Sequence, residues 1–390
     1  MTFRSTLFIA SITCVLGGLA HSKLSAQEPA LQIEKESTAR LIPISLTGYS
    51  GDAQDTLKFD LEIQGFSIVA PEVAQFNVTG SNNGAVEGRV MDRVRKATVL
   101  AIRYESGTPR SQAHALADDI VLKITGKPGI ARTKIAFKGE NAKRTEIFIA
   151  DFDGANALPA TQDNVDVVTP AWAPGSKKLF YTSRKSGYLD IYSHDLVSGQ
   201  RMVIAKYSGS NFSPAASPDG KRVAMIISKD GNPELYVCDA DGKNLKRLTQ
   251  TAEDESSPCW SPDSQSICVV SRKGGTPALY VVPASGGPMT RLRTAGVGSV
   301  TEPDWSPDGK WIAFTALSRP FQICRVPAQG GAAEVLCEGE DPAWAPNSRT
   351  IIFTHRSGDR RTLSLLDADT KRVKTRGQYS GSRSQPSWAK

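Results

Sequence analysis

Pro303-Asp304-Trp305-Ser306-Pro307-Asp308-Gly309 is one of six near-copies of a single phrase. The others begin at Pro170, Pro214, Pro258, Pro342 and Pro386, and successive starts stand 44, 44, 45, 39 and 44 residues apart. A fixed period of about 40–45 residues in a strand-rich chain marks the blades of a β-propeller. Within the unit, Pro303–Ser306 reads as a short inner strand. Pro307-Asp308-Gly309 is a turn: Pro presets φ, Asp bonds its own backbone and Gly accepts positive φ. Trp311–Ala316 is a second strand, Gln322–Val326 a third and Ala333–Leu336 a fourth, the last two joined across Gly330-Gly331.

The two ends of the array are unequal. The unit at Arg132–Thr161 has second, third and fourth strands but no Pro-x-Trp strand, while the phrase at Pro386 has nothing after it. The economical reading lets this last strand supply the missing inner strand of the first blade. Closure removes open sheet edges. The expected fold is mainly β: a leader over 1–26, a small α/β domain over 27–131, and a six-bladed propeller over 132–390 closed by the C-terminal strand.

All six Trp fall in the repeat region: Trp172, Trp260, Trp305, Trp311, Trp344 and Trp388. Rings at a fixed point of a repeat pack blade against blade; a ligand-stacking platform is the other use. Five Cys remain after the leader. Cys259/Cys268 and Cys324/Cys337 stand symmetrically about turns, so cross-strand bridges and small buried thiols are both open; Cys238 is the odd one.

Arg4 followed by the apolar run Leu7–Leu19 reads as a secretory leader, too short to span a bilayer. The mature chain is then exported, soluble and not membrane-spanning, and a monomer is expected. The formal charge is +7. Its densest stretch, Lys371, Arg372, Lys374 and Arg376, reads as a solvated face, and export argues against nucleic acid as partner.

Before the repeats the grammar changes. Leu41–Leu46 is a strand candidate, Ala53–Ile63 a helix stopped at Gly65, and Phe66–Val69 a short strand. Gly80–Gly84 reads as a flexible loop. Ala85–Val90 and Thr98–Tyr104 are strands, and Ser111–Ile124 is an amphipathic helix with Gly126 just beyond it.

The stretch His114–Phe137, with Thr125, Gly126, Gly129, Arg132, Thr133, Ile135, Ala136 and Phe137, closely resembles the helix and linker that enter the propeller in the TolB family of the Tol–Pal system. Arg40–Leu46, Ala85–Val90, Leu235–Gly242 and Lys246–Thr249 resemble further parts of the same family. Between Val69 and Ala85 the chain is shorter than the family's usual N-terminal domain, as if one helix were missing. The resemblance implies a periplasmic adaptor whose channel-mouth loops dock a Pal-like peptidoglycan-associated lipoprotein. The matching positions are Ser210, Asn211 and Phe212; Glu255, Ser256 and Ser257; and Thr301 and Glu302. Ser210 stands where the family has His. A calcium ion near Glu302, Glu340 and Asp341 is implied, as is a mobile strand over Gln27–Glu36 for a TolA-like inner-membrane protein.

Catalytic constellations are missing from the sequence. Only His21, His114, His194 and His355 occur, no G-x-S-x-G elbow is present, and no His/Cys cluster has zinc spacing. The expectation is a binding protein, not an enzyme, with a general exported scaffold for a glycan or other envelope ligand as the alternative.

Overall fold

A computed structural model of the chain describes residues 40–141, 144–175, 177–375 and 381–390. The leader, the segment Gln27–Glu36 and Arg376 lie outside the described residues.

The first domain runs β1 (Ile42–Thr47), α1 (Gly51–Ile63), β2 (Phe66–Ile68), β3 (Phe76–Ser81), β4 (Val86–Asp92), β5 (Ala97–Tyr104) and α2 (Pro109–Thr125). Its sheet has the order β2-β1-β3-β4-β5. β1 pairs in parallel with β2 and β3, and the other pairs are antiparallel. No helix lies between β2 and β3. The expected loop Gly80–Gly84 starts later, because Gly80 and Ser81 end the central strand β3 and the bend before β4 covers residues 82–85. Phe76 and Val78 face the core on alternate positions, at 7% and 0% exposure. Gly80 serves close approach, not flexibility: a Cβ there would collide with the Tyr49 hydroxyl and the Glu87 carbonyl.

α2 begins with Pro109 in its first turn and Thr108 Oγ1 accepting the Ser111 N–H at 3.2 Å. It ends at Gly126, left-handed at φ 73°, whose N–H bonds the Leu122 carbonyl at 2.9 Å. The linker beyond is fastened. Asp118 accepts the Ala131 N–H at 2.7 Å and the Arg132 N–H at 3.1 Å, and Gln64 Oε1 accepts the Ile130 N–H at 2.9 Å. A Cβ on Gly129 would strike Asp118.

Six four-stranded sheets follow. Blade 1 joins β6 (Lys134–Asn141), β7 (Arg144–Asp151) and Leu158–Pro159 to the inner strand Arg383–Trp388. That strand runs antiparallel to β6, with Trp388 opposite Ile135 and Ser387 opposite Ala136. The stitched ring expected from the repeats is therefore present. The inner strands of blades 2 to 6 are Val167–Trp172, Asn211–Ala216, Glu255–Trp260, Val300–Trp305 and Glu340–Trp344. A short parallel ribbon, Thr294–Ala295 with Gly331–Ala332, lies where only a hairpin turn was expected.

The phrase has three structural jobs. Its turn is self-bonded: Ser306 Oγ donates to Asp308 Oδ1 at 2.7 Å, and Asp308 Oδ1 accepts the Lys310 N–H at 3.1 Å. Its Trp packs between blades. Trp344 and Trp388 are 0% and 2% exposed, and Trp260 Nε1 donates to the Ala215 carbonyl of blade 3 at 2.9 Å. Its Pro follows a bulge, which is the origin of the channel geometry below. The second strands supply the filling; Val223–Ile227 and Ile312–Ala316 are buried at every position.

One core runs from α1 and α2 through Ile135, Phe152 and Trp388 into Ile352 and Leu365. The first domain sits over blades 6 and 1, where inner strands end: Thr350 Oγ1 donates to the Ile63 carbonyl at 3.4 Å, and Lys374 pairs with Glu62. The inner-strand starts gather at the opposite mouth.

The five described Cys are free thiols. Cys259 stands opposite Cys268. Cys324 and Cys337 are not partners, because a register shift sets Cys337 against Ile323 and Cys324 against Val335. Burial pushes the Cys238, Cys324 and Cys337 thiols up to about 12.

Candidate functional site

Every inner strand places one non-glycine residue at positive φ directly before its Pro: Thr169, Ser213, Ser257, Glu302, Asp341 and Gln385, at 50–55°. Each sits at a register shift between inner and second strand. Such backbone costs about 1–3 kcal/mol per residue and persists where surrounding bonds hold it. Here those bonds form a girdle. The Asp341 N–H donates to Glu302 Oε2 at 3.0 Å, the Gln385 N–H to Asp341 Oδ2 at 3.1 Å, and the Thr169 N–H to Gln385 Oε1 at 3.1 Å. The Ser213 N–H reaches Thr182 Oγ1 at 3.2 Å, itself bonded to Thr169 Oγ1 at 2.8 Å.

Two carboxyls meet in this girdle. Burial first, then the neighbouring Asp341, pushes Glu302 up to about 8. Asp341 is raised as well, by burial first. Thr315 and Thr354 donate to them at 2.7 and 3.0 Å. Such a pair holds a proton or a cation between its oxygens. Glu340, grouped with them on the sequence, points elsewhere: it accepts from Arg356 Nε at 2.7 Å and Arg361 Nε at 3.3 Å.

The loop residues named from the sequence divide into three sets. Phe212, Ser256 and Thr301 line a cavity of about 280 Å³ across blades 3 to 5, together with Glu255, Arg272 and Leu317. Ser210 is half-buried beside them, its N–H on Ser228 Oγ at 2.9 Å. Ser257 and Glu302 are the positive-φ residues before their prolines, and Glu302 joins the girdle through the Asp341 N–H. Asn211 and Glu255 are buried at 0% and 1%. Asn211 Nδ2 donates to the Tyr207 carbonyl at 2.9 Å and to Asp190 Oδ1 at 3.2 Å. Glu255 accepts from Ser271 Oγ at 2.8 Å, and burial, then its neighbour Glu234, raises it to about 8. These two brace the loops from within.

Arg272, Leu317, Phe321 and Arg356 at this mouth were not singled out on the sequence. Phe321 and Arg356 line a second cavity of about 250 Å³, with the guanidinium 5.3 Å from the ring centroid. Each lies at the mouth end of its blade, so strand phase within the repeat was the available signal. The basic stretch near 371 is tied into the scaffold: Lys371 donates to the Val335 carbonyl at 3.0 Å, and Lys374 pairs with Glu62. No helix among the described residues is long and apolar enough to cross a membrane.

The family model of the TolB beta propeller domain matches residues 121–390. A protein named Tol-Pal system protein TolB from Dechloromonas aromatica is 31% identical over 238 residues, covering 53% of this chain and 54% of the relative. One of the same name from Polaromonas naphthalenivorans is 29% identical over 235 residues, covering 52% and 54%. A third, from Aromatoleum aromaticum, is 39% identical over 112 residues, covering 29% and 26%. The chain thus spans about half, or less, of the length of these curated relatives. The crystal structure of TolB from Acinetobacter baumannii superposes with a TM-score of 0.82 over 91% of this chain and 98% of that one, at 25% identity.

Proposed function

The chain belongs to the TolB β-propeller family, and from that premise we propose that it is a protein-binding adaptor of a Tol–Pal system, not an enzyme. Its mouth face docks a Pal-like peptidoglycan-associated lipoprotein. The segment Gln27–Glu36, freed when the leader over 1–26 is removed in the periplasm, adds as a strand to a TolA-like inner-membrane protein. The adaptor works as a monomer and serves outer-membrane integrity and cell division.

One observation carries this reading. Phe212, Ser256 and Thr301, from three different blades, converge on one groove at the mouth that the first domain leaves uncovered. A half-buried ring with polar neighbours and an arginine at hand is the composition of a contact hot spot. Beside it, Glu302 and Asp341 offer oxygens to a calcium ion, which would lower the negative charge at the docking face.

Calorimetry with the soluble domain of the cognate Pal-like lipoprotein tests the proposal. Phe212→Ala and Thr301→Arg should each weaken binding about tenfold or more. Full affinity in both variants would overturn the groove as the docking site, and no lipoprotein binding with retention of the chain on purified peptidoglycan would overturn the adaptor in favour of a glycan scaffold.

A further inference from the structure

Where α2 meets the third strand of blade 1, a second polar cluster lies far from the mouth. A ring nitrogen of His114 and carboxylate oxygens of Asp151 and Asp153 all stand within 4.8 Å of one another. His114 is 4% exposed. Its Nδ1 faces Asp60 Oδ2 at 2.7 Å, and its Nε2 has no hydrogen-bond partner. A buried ring nitrogen left unpaired costs free energy unless something occupies it.

We propose that His114, Asp151 and Asp153 form a site for a divalent transition metal of the zinc or cobalt class, fastening α2 to the first blade.

The arrangement already has the outer layer such a site needs. A carboxylate on the far nitrogen fixes the tautomer that leaves Nε2 with its lone pair, and Asp60, 0% exposed, supplies it. Asp151 is held by Lys134 at 2.5 Å and Asn156 at 2.7 Å. Asp153 is held by Arg110 and by the Ala155 N–H at 3.1 Å. Each carboxylate offers about four lone-pair directions, so a carboxylate oxygen can serve a metal while its other directions keep protein partners. Ligands about 2.1 Å from a tetrahedral metal stand about 3.4 Å apart, so atoms within 4.8 Å of one another reach it by contracting no more than about 1.4 Å. One imidazole with two carboxylates favours zinc or cobalt over calcium or magnesium. Phe152, fully buried between the two aspartates, packs on His114 with ring centroids 5.8 Å apart and on Trp388 at 6.3 Å. It fixes the hairpin end against the closing strand.

The test uses the full chain, stripped with chelator and titrated with cobalt(II), read by visible absorption and equilibrium dialysis. One equivalent should bind with a band of nitrogen and oxygen coordination. His114→Gln and Asp151→Asn should abolish the band while keeping the far-ultraviolet circular dichroism. Asp60→Asn should weaken binding about 10–100-fold. Lys134→Met, which removes a competing cation, should strengthen it. Asp341→Asn should leave it unchanged, which separates this site from the channel and from the adaptor reading. No cobalt bound at about a hundred micromolar, a band surviving in folded His114→Gln, or one lost in Asp341→Asn, would overturn the proposal.

Discussion

The two ends of the channel are built on opposite terms. At the end under the first domain, the repeat is nearly literal: turn after turn uses a Ser or Ala, a Pro and a self-bonding Asp or Asn, and neighbouring turns touch, as where the Asp219 N–H meets Ser264 Oγ at 3.1 Å. At the mouth, the positions before the six prolines carry Thr, Ser, Ser, Glu, Asp and Gln. The backbone there is equally regular, yet the side chains differ. Repetition makes the ring; departure from it at one geometrically fixed position gives each inner strand its own chemistry where the strands start. A change at the repeated end should therefore cost stability, and a change at the mouth should cost binding.

The largest effect should come from the closing strand. Removing Pro386–Lys390 takes away the residues facing Ile135 and Ala136, and Trp388→Ala alone should cost about 3–5 kcal/mol in chemical denaturation. An unchanged midpoint would break the contrast at its root. Next is the first domain: Gly80→Ala should destabilise by about 1–3 kcal/mol through overpacking against Tyr49, whereas Gly84→Ala, with open space around it, should cost about 1 kcal/mol from its positive φ alone. Equal losses in the two would mean that close approach does not matter at Gly80. At the mouth, Phe212→Ala should lower unfolding stability by less than about 1 kcal/mol while binding falls about tenfold. A stability loss as large as that of Trp388→Ala would erase the distinction between the two ends.

The smallest effect concerns pH. Glu255 is raised to about 8 in the folded chain, so the fold keeps a proton that the unfolded chain releases above about 4.5. Its contribution is complete below the unfolded value and declines as pH rises through about 8. Glu234 is lowered instead, burial being outweighed by hydrogen bonds from Glu255, Thr249, Thr251 and Arg247, and its contribution disappears only as pH falls through the acid range. Melting temperature should thus decline from about pH 5 to 8, and Glu255→Gln should flatten part of that slope, with Glu302, Asp341, Asp60 and Asp118, all raised by burial first, contributing further. An unaltered slope in Glu255→Gln would show that the buried pair does not share its proton.

The ring was legible because its signals are local. Pro, Trp, Asp and Gly recur at fixed offsets, and each does its work within a few residues or against the next copy. β3 was harder: Asn77 and Thr79 alternate properly, but Gly80 resembles loop punctuation, and only its contact with Tyr49 reveals why it is there. Asn211 and Glu255 were expected as contact residues because their rim-loop positions match the family's docking loops. Their buried bonds to Tyr207 and Ser271 depend on how neighbouring strands meet, which a pattern along the chain does not carry. His114 and Asp151 lie on a helix and a strand of different domains, so no motif spacing joins them. The exchange between Glu302 and Asp341 was half legible: both were noticed, but which of two adjacent acids faces inward follows from the bulge before each Pro.

The pairing of Ile135 with Trp388 sets an order of events during synthesis. A translating ribosome delivers Ile135 early, and β6 must then wait for some 250 more residues while five complete blades accumulate beside it. Until the last inner strand arrives, the growing arc has two raw edges and a gap between them. Its completion is a non-local event, slow by nature, and exposed to any chaperone or protease that samples unfinished chains. The disc thereby carries its own quality stamp: only a polypeptide read through to Trp388 can present an intact rim.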